Sequence, residues 1–418
     1  MNILFLTENF PPETNAAATR VYERACYWVK WGHEVTVITC VPNFPRGRVF
    51  PSYRNRWYQT EEMTGIRVVR VKTLIAPNRA VFLRTLDFLS FFLTGFVAGL
   101  FQPRPDVIAA TSPQFFAAVA GWAVAGMRRV PFVFELGDLW PASIAAVGAI
   151  HDNILLKWME AVEMFLYRRS ASVVALTAAF KRNLTQRGIT ADKIAVVING
   201  VDLSRYGPRS PNEKLAERWG LSGRFVVGYI GTHGMAHGLR NVLDAADRLR
   251  HEENLRFILV GSGAERVPLM AEAKHRRLDN VIFIPPQPKE SMPEVWSLCD
   301  VALVHLRNSP VFKEVIPSKM FEAMGMGLPL LLAAPRGEAA DILERDGAGL
   351  WVSAEDPDAL AASVLNLMRD FETRESLTQR SLAAAPLHTR ERQARRMMEV
   401  LDLVTVGRGS EVGVLVPA

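Results

Sequence analysis

Short runs of apolar residues recur along the chain, and each is followed by a longer stretch with helical spacing of apolar positions. Apolar runs bounded by turn formers are typical of buried strands. The predicted strands of the first half are Ile3–Leu6, Glu34–Thr39, Arg67–Val71, Val107–Ala110, Phe132–Glu135, Ser172–Leu176 and Ala195–Ile198. Those of the second half are Phe225–Ile230, Arg256–Val260, Val281–Ile284, Val301–Val304, Leu330–Leu332 and Gly349–Val352. This alternation favours an α/β protein with two Rossmann-like, doubly wound domains.

The join between the domains is predicted at Asn199–Pro208, where turn formers cluster and no apolar period continues. The predicted domains are 1–203 and 204–385. Ligands of doubly wound sheets bind at the carboxyl ends of the strands. We therefore expect a ligand site where the two sheets face each other across a cleft.

Composition fits this organisation, because 418 residues with 49% hydrophobic content suffice for two separate cores. Three widely spaced cysteines in apolar stretches, Cys26, Cys40 and Cys299, predict buried reduced thiols rather than a disulfide framework or a zinc site. The first residues, MNILFLTENF, enter an apolar strand directly and lack the basic region of a secretory signal. The sequence therefore predicts a cytosolic protein.

Basic charge is concentrated in residues 1–200, which hold 22 Lys and Arg against 14 Asp and Glu, whereas the remainder holds 27 against 29. Part of it is a cluster in which basic and aromatic residues alternate: Phe44, Arg46, Arg48, Phe50, Tyr53, Arg54, Arg56, Trp57 and Tyr58. Such a cluster suits a nucleic acid or an anionic membrane surface.

Three apolar segments in the same half favour the membrane: 82–101, 111–127 and 139–150. The uncharged part of the first segment, Phe88–Phe101, has 14 residues and is too short to span a bilayer. The segment has a broad aromatic face, which predicts a helix that lies in the membrane–water interface. This face consists of Phe88, Phe91, Phe92, Phe96 and Phe101. The alternative is that these segments are buried helices of an α/β core.

The segment Phe312–Pro335 places two carboxylates, Glu314 and Glu322, eight positions apart around a Pro-Ser-Lys turn. Pro317 predicts a loop, Ser318 and Lys319 open a helix, and Gly325 and Gly327 close it. Backbone N–H groups at the start of this helix and the Lys319 charge would attract an anion such as a diphosphate. Alternatively, Glu322 is an ordinary helix residue paired with Lys319, and Glu314 is a solvated acid.

Three loops after predicted strands are further anion-site candidates. The first, after Ile3–Leu6, carries Asn15 and Ala16 at the start of a helix that runs to Trp31. The second, after Phe225–Ile230, carries Gly231 with His233 and His237, which either donate hydrogen bonds to a phosphate or cap the next helix. The third carries Gly261 and Gly263, which either contact a nucleotide or only permit tight packing.

Two acids, Glu135 and Asp138, end the strand Phe132–Glu135 in the first half. A carboxylate at this strand end suits a general base for an acceptor hydroxyl, and we predict that Asp138 fills this role. The competing interpretation is that Asp138 caps the segment beginning at Leu139.

Several of these stretches together resemble the GT4 family of retaining glycosyltransferases with the GT-B fold, over roughly residues 1–400. They are the Glu314–Glu322 spacing, the PPETNAAATR loop, WGHEVTVIT at 31–39, NGVDLSRY at 199–206 and ILVGSGAE at 258–265. The stretches PNFPRGRVF, FELGDLWP and IPSKMFEAM are most similar to the WbuB-like branch. That likeness implies transfer of an N-acetylated amino sugar, often a 6-deoxy sugar, in O-antigen or capsule assembly.

The resemblance implies roles for individual residues. Glu314 would contact donor-sugar hydroxyls, Glu322 the ribose, and Lys319 the diphosphate. The other expected nucleotide-sugar contacts are Ser318, His233, His237, Gly231, Asn15, Ala16, Gly261 and Gln287. The fold also implies that helix 386–405 returns to the first domain, ahead of a loose tail at 406–418.

In two loops the chain departs from the family's pattern. His233 and His237 stand where many members carry Arg and Lys, and they are weaker, pH-dependent anion partners. Asn15 and Ala16 stand where many members have a glycine pair. In the first domain, Glu135, Gly137 and Asp138 lie where many members have a histidine.

The resulting hypothesis is a metal-independent, cofactor-free, retaining enzyme on the cytoplasmic face of the inner membrane. Its donor is a UDP-sugar, and its acceptor is a polyprenyl-diphosphate-linked saccharide. Two alternatives remain: a UDP-sugar 2-epimerase of the same fold, and a non-enzymatic sugar-nucleotide-binding partner of a membrane assembly complex.

Overall fold

The computed structural model describes residues 1–44, 47–75, 81–112, 115–139 and 154–406, without the side chains of 81–85 and 154–156. Most of the predicted apolar segment 139–150, the tail at 407–418 and Arg46 of the basic cluster lie outside the described residues. The chain divides into two compact units. Residues Met1–Ile198 and those from Arg390 onward form the first, and Asn199–Thr389 form the second.

The first unit is built on an eight-stranded sheet of order β3-β4-β2-β1-β5-β6-β7-β8. Its strands are β1 (Asn2–Leu6), β2 (Glu34–Cys40), β3 (Tyr58–Met63), β4 (Ile66–Val71), β5 (Val107–Thr111), β6 (Phe132–Leu136), β7 (Ser172–Ala175) and β8 (Ile194–Val196). Its helices are α1 (Ala16–Lys30), α2 (Val81–Leu100), α3 (Phe115–Arg128), α4 (Ile154–Arg169), α5 (Ala178–Gln186) and, after the second unit, α14 (Arg390–Val406). Every strand pair is parallel except β3 with β4.

The second unit is built on a six-stranded parallel sheet of order β11-β10-β9-β12-β13-β14. Its strands are β9 (Phe225–Ile230), β10 (Leu255–Val260), β11 (Val281–Ile284), β12 (Val301–His305), β13 (Leu330–Ala333) and β14 (Gly349–Val352). Its helices are α6 (Glu213–Arg218), α7 (Arg240–Arg248), α8 (Arg266–His275), α9 (Met292–Trp296), α10 (Lys319–Gly325), α11 (Glu338–Asp346), α12 (Pro357–Arg369) and α13 (Phe371–Ala384).

In both sheets the strand order reverses beside the first strand of the unit, between β1 and β5 and between β9 and β12. Such a reversal opens a crevice at the carboxyl ends of the strands, where doubly wound proteins bind ligands. The prediction of two doubly wound α/β domains is confirmed. The strand it missed, β3, is a polar edge strand whose side chains alternate between exposed and half-buried, so no apolar run marks it in the sequence.

The C-terminal helix α14 belongs to the first unit and packs on α1. The indole nitrogen of Trp28 donates to the carbonyl of Ala394 at 3.0 Å, and Arg390 pairs with Glu23 at 2.9 Å. Met397 and Leu401 extend the apolar core on this side of the sheet. The helix is therefore held by both a buried ion pair and apolar contacts.

Helices α2 and α3 cover the opposite side of this sheet, which corrects part of the membrane prediction. The second apolar segment forms the end of β5 and helix α3, whose Ala117, Ala120 and Val124 are fully buried. At Gly99 of α2, a Cβ atom would lie 2.8 Å from Val124, so the two helices pack closely. The interpretation as buried core is right for this segment.

The exposed apolar face of α2 differs from the predicted phenylalanine face. Phe91 is fully buried, and Phe92 and Phe96 pack partly against the core. The side chains that face solvent lie at four-residue intervals: Leu89, Leu93, Val97 and, just after the helix, Phe101, which are 40–80% exposed. We call these four residues the apolar strip. Phe91, Phe92 and Phe96 pack toward the core because large aromatic side chains fill the space between helix and sheet, whereas Phe101 of the predicted face is exposed.

Candidate active site

The carboxyl ends of β9 and β12, at the strand-order reversal of the second unit, converge on the side chain of Lys319. Lys319 is the first residue of α10, and its ammonium nitrogen lies 3.9 Å from the centre of the Tyr229 ring on β9. Within the described part of the chain this nitrogen is enclosed and makes no hydrogen bond. Burial lowers the pKa of Lys319 to about 7, although nearby Glu322 opposes this shift. A buried ammonium without a hydrogen-bond partner is costly and indicates a site for an anion.

Two glycine-rich turns lie beside this ammonium. A Cβ atom at Gly231 would lie 2.6 Å from the Lys319 nitrogen, and one at Gly261 would collide with the Gly231 carbonyl. Both residues have positive φ values, +147° and +146°, which favour glycine. The backbone N–H of His233 also donates to the Ser262 carbonyl at 2.8 Å. Gly261 is therefore required for packing of the two turns, while Gly231 leaves room for the ammonium.

The histidines of the first turn are neutral rather than cationic near pH 7. Burial, with Arg266 and Lys319 nearby, lowers the pKa of His233 to about 4. Burial and Lys319 lower the pKa of His237 to about 3. His233 is fully buried, and His237 approaches the His305 carbonyl at 3.4 Å through its Nδ1 atom. Desolvation favours the neutral rings, which still carry one N–H donor each, so contact of His233 and His237 with a phosphate stays a prediction.

The two predicted carboxylates flank Lys319 along the chain. Glu314 ends a 3₁₀ turn, Pro310–Glu314, and its side chain is half-buried. Glu322 lies one turn inside α10, as predicted, and accepts a hydrogen bond from the Trp296 indole at 3.4 Å. Ser318 is the N-cap residue of α10 but makes no capping hydrogen bond through its side chain. Helix α10 has only seven residues, so the positive charge of this region comes mainly from Lys319.

Three other predicted contact residues have local structural roles. Asn15 caps α1, its Oδ1 atom accepting from the Ala18 N–H at 2.9 Å, and Ala16 is the exposed first residue of that helix. Gln287 donates to the Pro285 carbonyl at 2.9 Å within the loop after β11. Contact of these residues with a nucleotide sugar stays a prediction.

Glu135 cannot serve as a general base. It is fully buried at the end of β6 and accepts two hydrogen bonds from Arg24, at 2.8 and 2.9 Å, and one from Arg20 at 3.1 Å. Burial opposes its charged form, but Arg24 and Arg20 lower the pKa of Glu135 to about 2. Arg20 also donates to Thr111 at 3.1 Å. These groups form a buried ion-pair cluster in which both arginines pair with Glu135.

Asp138 is the remaining acid at this strand end. It is half-buried. Burial and Glu163 raise the pKa of Tyr167, and the Asp138 charge adds a smaller contribution in the same direction. The neighbouring Gly137 is required where it stands, because a Cβ atom there would collide with the Ser112 carbonyl. The assignment of Asp138 as the acceptor base stays a prediction.

Sequence reasoning missed Tyr229 and Arg24, which shape these regions. Tyr229 is the aromatic residue of the strand FVVGYI, directly before the glycine-rich turn. Arg20 and Arg24 are spaced by four positions, so they share one face of α1. Together with an acid inside the apolar strand FVFEL, this spacing was a usable signal for the buried ion pairs.

A search of the described residues finds no group of three His, Cys, Asp or Glu side chains that could hold a metal ion. The same part of the chain contains no helix with the length and apolar character needed to cross a membrane.

Two family models match the chain. Residues 15–200 match the glycosyl transferase 4-like domain, and residues 211–383 match the glycosyl transferases group 1 domain. The chain is 25% identical over 374 residues to the putative colanic acid biosynthesis glycosyl transferase WcaI of Escherichia coli, covering 87% of this chain and 91% of WcaI. It is also 25% identical to a GDP-mannose-dependent alpha-mannosyltransferase of Mycobacterium tuberculosis, covering 86% and 87%.

Solved structures share the fold at low identity. Sucrose-phosphate synthase from Thermosynechococcus elongatus has a TM-score of 0.78 and 16% identity, covering 97% of this chain and 99% of its own. Anabaena HepE in complex with UDP has a TM-score of 0.70 and 20% identity, covering 96% and 100%. WaaG, a glycosyltransferase involved in lipopolysaccharide biosynthesis, has a TM-score of 0.67 and 13% identity, covering 96% and 99%. These likenesses show the two-domain α/β fold of GT-B glycosyltransferases.

Proposed function

Because the chain belongs to the group 1 (GT4) glycosyltransferases, we propose that it transfers a sugar from a nucleoside-diphosphate donor whose diphosphate binds the Lys319 ammonium. The observation that carries the proposal is the enclosed ammonium, which lies at the reversal of strand order and makes no hydrogen bond within the described residues. An anionic oxygen at this point would supply the missing hydrogen-bond acceptors.

The remaining site residues have roles that the family resemblance implies. Glu314 would contact hydroxyls of the donor sugar, and Glu322 would accept hydrogen bonds from the ribose. As the bond to the diphosphate breaks, negative charge grows on the leaving group, and Lys319 would stabilise it. The proposal includes retention of the anomeric configuration and needs no metal ion. Asp138 is proposed to accept the proton of the acceptor hydroxyl.

For the donor we propose a UDP-activated N-acetylated amino sugar, and for the acceptor a polyprenyl-diphosphate-linked saccharide in surface polysaccharide synthesis. The names of the relatives support this in part: WcaI is associated with colanic acid and WaaG with lipopolysaccharide. HepE binds UDP, but the mycobacterial relative is GDP-mannose-dependent. The competing donor is therefore GDP-mannose, and the test must include it.

The test is nucleotide release from UDP-N-acetylglucosamine, UDP-glucose and GDP-mannose, with and without membrane extract as the source of acceptor. We expect release that depends on the extract and on one donor, and that is unchanged by EDTA. The Glu314→Ala variant should lose about two orders of magnitude in rate, because a contact to the reacting sugar is removed.

Glu217→Ala, which removes an exposed acid of α6, is the matched control and should keep the wild-type rate. Release without extract at the full rate would favour an epimerase or hydrolase. No release from any donor, or equal rates for Glu314→Ala and wild type, would contradict the proposal.

We also propose that the first unit docks on an anionic membrane surface through the apolar strip. No acid of α2 with a described side chain is exposed, since Asp87 is buried. An aromatic residue adjoins the strip, since Gln102, next to Phe101, donates to the Tyr58 hydroxyl at 3.4 Å. Trp57, the neighbour of Tyr58 along the chain, has the Lys72 ammonium 4.6 Å from its ring centre. Apolar contact with basic residues around it suits the boundary between head groups and acyl chains.

The predicted result is co-sedimentation of the protein with vesicles that contain phosphatidylserine, and at least tenfold weaker binding after the double change Leu93→Asp and Val97→Asp. Val267→Asp changes a still more exposed apolar residue on α8 and should bind like the wild type. Equal binding by all three proteins would exclude the strip as the docking surface.

A further inference from the structure

The Tyr229 ring is the common contact of the groups around the proposed diphosphate site. It is fully buried, and its hydroxyl donates to the Thr232 carbonyl at 2.7 Å. His233 and His237 each lie 5.9 Å from it, measured between ring centres. The hydroxyl hydrogen bond and these two contacts fix the orientation of the ring at the end of β9.

The ammonium of Lys319 lies over the face of this ring. A distance of 3.9 Å to the ring centre is well inside the range of cation–π attraction, which is worth about 2 kcal/mol or more at desolvated sites. The missing Cβ of Gly231 provides the space for the ammonium on its other side. The nitrogen is therefore held at one place without a hydrogen bond within the described residues.

An aromatic face differs from a carboxylate partner in a way that matters for ligand binding. A carboxylate would accept the N–H donors of the ammonium and cancel its charge, whereas a ring face attracts the charge, carries no negative charge of its own and leaves the N–H donors that do not face the ring free. The other charged or titratable groups that interact with Lys319 are Glu322 on its own helix, His233 and His237 in the turn after β9, and His305 on β12. All three histidines have lowered pKa values and are neutral, so Lys319 is the cation among these groups.

We infer that Tyr229 is a positioning residue that holds the Lys319 ammonium by its ring face, so that the N–H donors not facing the ring are available to the donor diphosphate. The inference rests on the proposed function and adds a residue to it. Tyr229 acts through Lys319 and does not touch the donor itself.

A double-mutant cycle on the full-length protein tests this, with UDP and GDP as ligands in titration calorimetry. Tyr229→Leu should weaken nucleotide binding about tenfold in the wild-type background and less than twofold in the Lys319→Met background. Tyr229→Phe keeps the ring and loses only the hydroxyl, so it should stay within threefold of the wild-type affinity. Equal losses from Tyr229→Leu in both backgrounds would show that the ring acts independently of Lys319 and would overturn the inference.

A second measurement does not depend on the stability of the Leu variant. In protein labelled with ¹³C-lysine, the Lys319 side-chain resonances are assigned as those that are absent from the spectrum of Lys319→Met. They should be shifted upfield by the ring current of Tyr229 in the wild type and in Tyr229→Phe. Lys319 resonances at ordinary lysine positions would overturn the inference about Tyr229 but leave the proposed function in place. Unchanged nucleotide affinity in Lys319→Met would instead overturn the proposed function.

Discussion

Lys319→Met is expected to lower the rate of sugar transfer by one to three orders of magnitude and at the same time to raise the stability of the fold. The transfer rate falls because the charge that would stabilise the leaving diphosphate is lost. Stability rises because the wild type buries an ammonium without a hydrogen bond within the described residues, whereas Met fills a similar volume with apolar atoms. We expect a gain of about 1–4 kcal/mol in the free energy of unfolding.

The pH dependence of this gain has a definite sign. Burial lowers the pKa of Lys319 from 10.5 to about 7 in the folded protein. Between these values the unfolded chain binds the extra proton, so the wild type becomes more stable as pH rises through this window. The advantage of Lys319→Met is therefore largest below pH 7 and shrinks as pH approaches 10.5. Urea unfolding at pH 6.5 and pH 9 measures it, and a variant less stable than the wild type at pH 6.5 would contradict the account.

Glu135→Gln is expected to destabilise the first unit by about 3–5 kcal/mol, because it leaves the buried Arg20 and Arg24 without a counter-charge. The carboxylate has a lowered pKa of about 2 when folded and 4.5 as its ordinary value. Its contribution is present above about pH 4.5 and is lost as pH falls toward 2. The wild type should therefore lose much of its advantage over the variant in acid.

The matched control is Glu344→Gln on α11, which removes one carboxylate of an exposed ion pair with Arg336. An exposed pair contributes little, so we expect a change below about 1 kcal/mol. Chemical unfolding at pH 7 compares the two variants with the wild type. Equal stability of Glu135→Gln and the wild type would refute the assignment of a structural role to this cluster.

The strands and the family of this chain could be predicted from sequence because buried parallel strands are continuous apolar runs and the Glu314–Glu322 spacing is local. Among the strands of the described residues, only β3, whose polar residues lie at a sheet edge, escaped the pattern. What the sequence could not provide were contacts between residues far apart along the chain. Tyr229 and Lys319 are 90 positions apart, and Arg24 and Glu135 are separated by 111.

The sequence also could not predict in which direction the side chains of α2 point. Apolar spacing predicts an amphipathic helix, but on a segment that is apolar on most sides it does not say which face meets the sheet. Phe91 faces the core, whereas Leu93 faces solvent. How strongly a side chain is desolvated also depends on the fold, which is why the pKa values of His233 and His237 are lowered here although their sequence context suggests pH-dependent anion partners.

The most direct test of the account is titration calorimetry of UDP and GDP with the wild type and Lys319→Met, in buffers of different ionisation enthalpy at pH 6.5, 8 and 9. A bound diphosphate favours the charged ammonium and raises the pKa of Lys319 above its free value of about 7. The account predicts that one nucleotide binds the wild type at least tenfold tighter than the variant at pH 6.5. It also predicts, for the wild type only, proton uptake on nucleotide binding at pH 8 and weaker nucleotide binding at pH 9 than at pH 6.5. Equal affinity of the two proteins, or binding without proton uptake at pH 8, would contradict it.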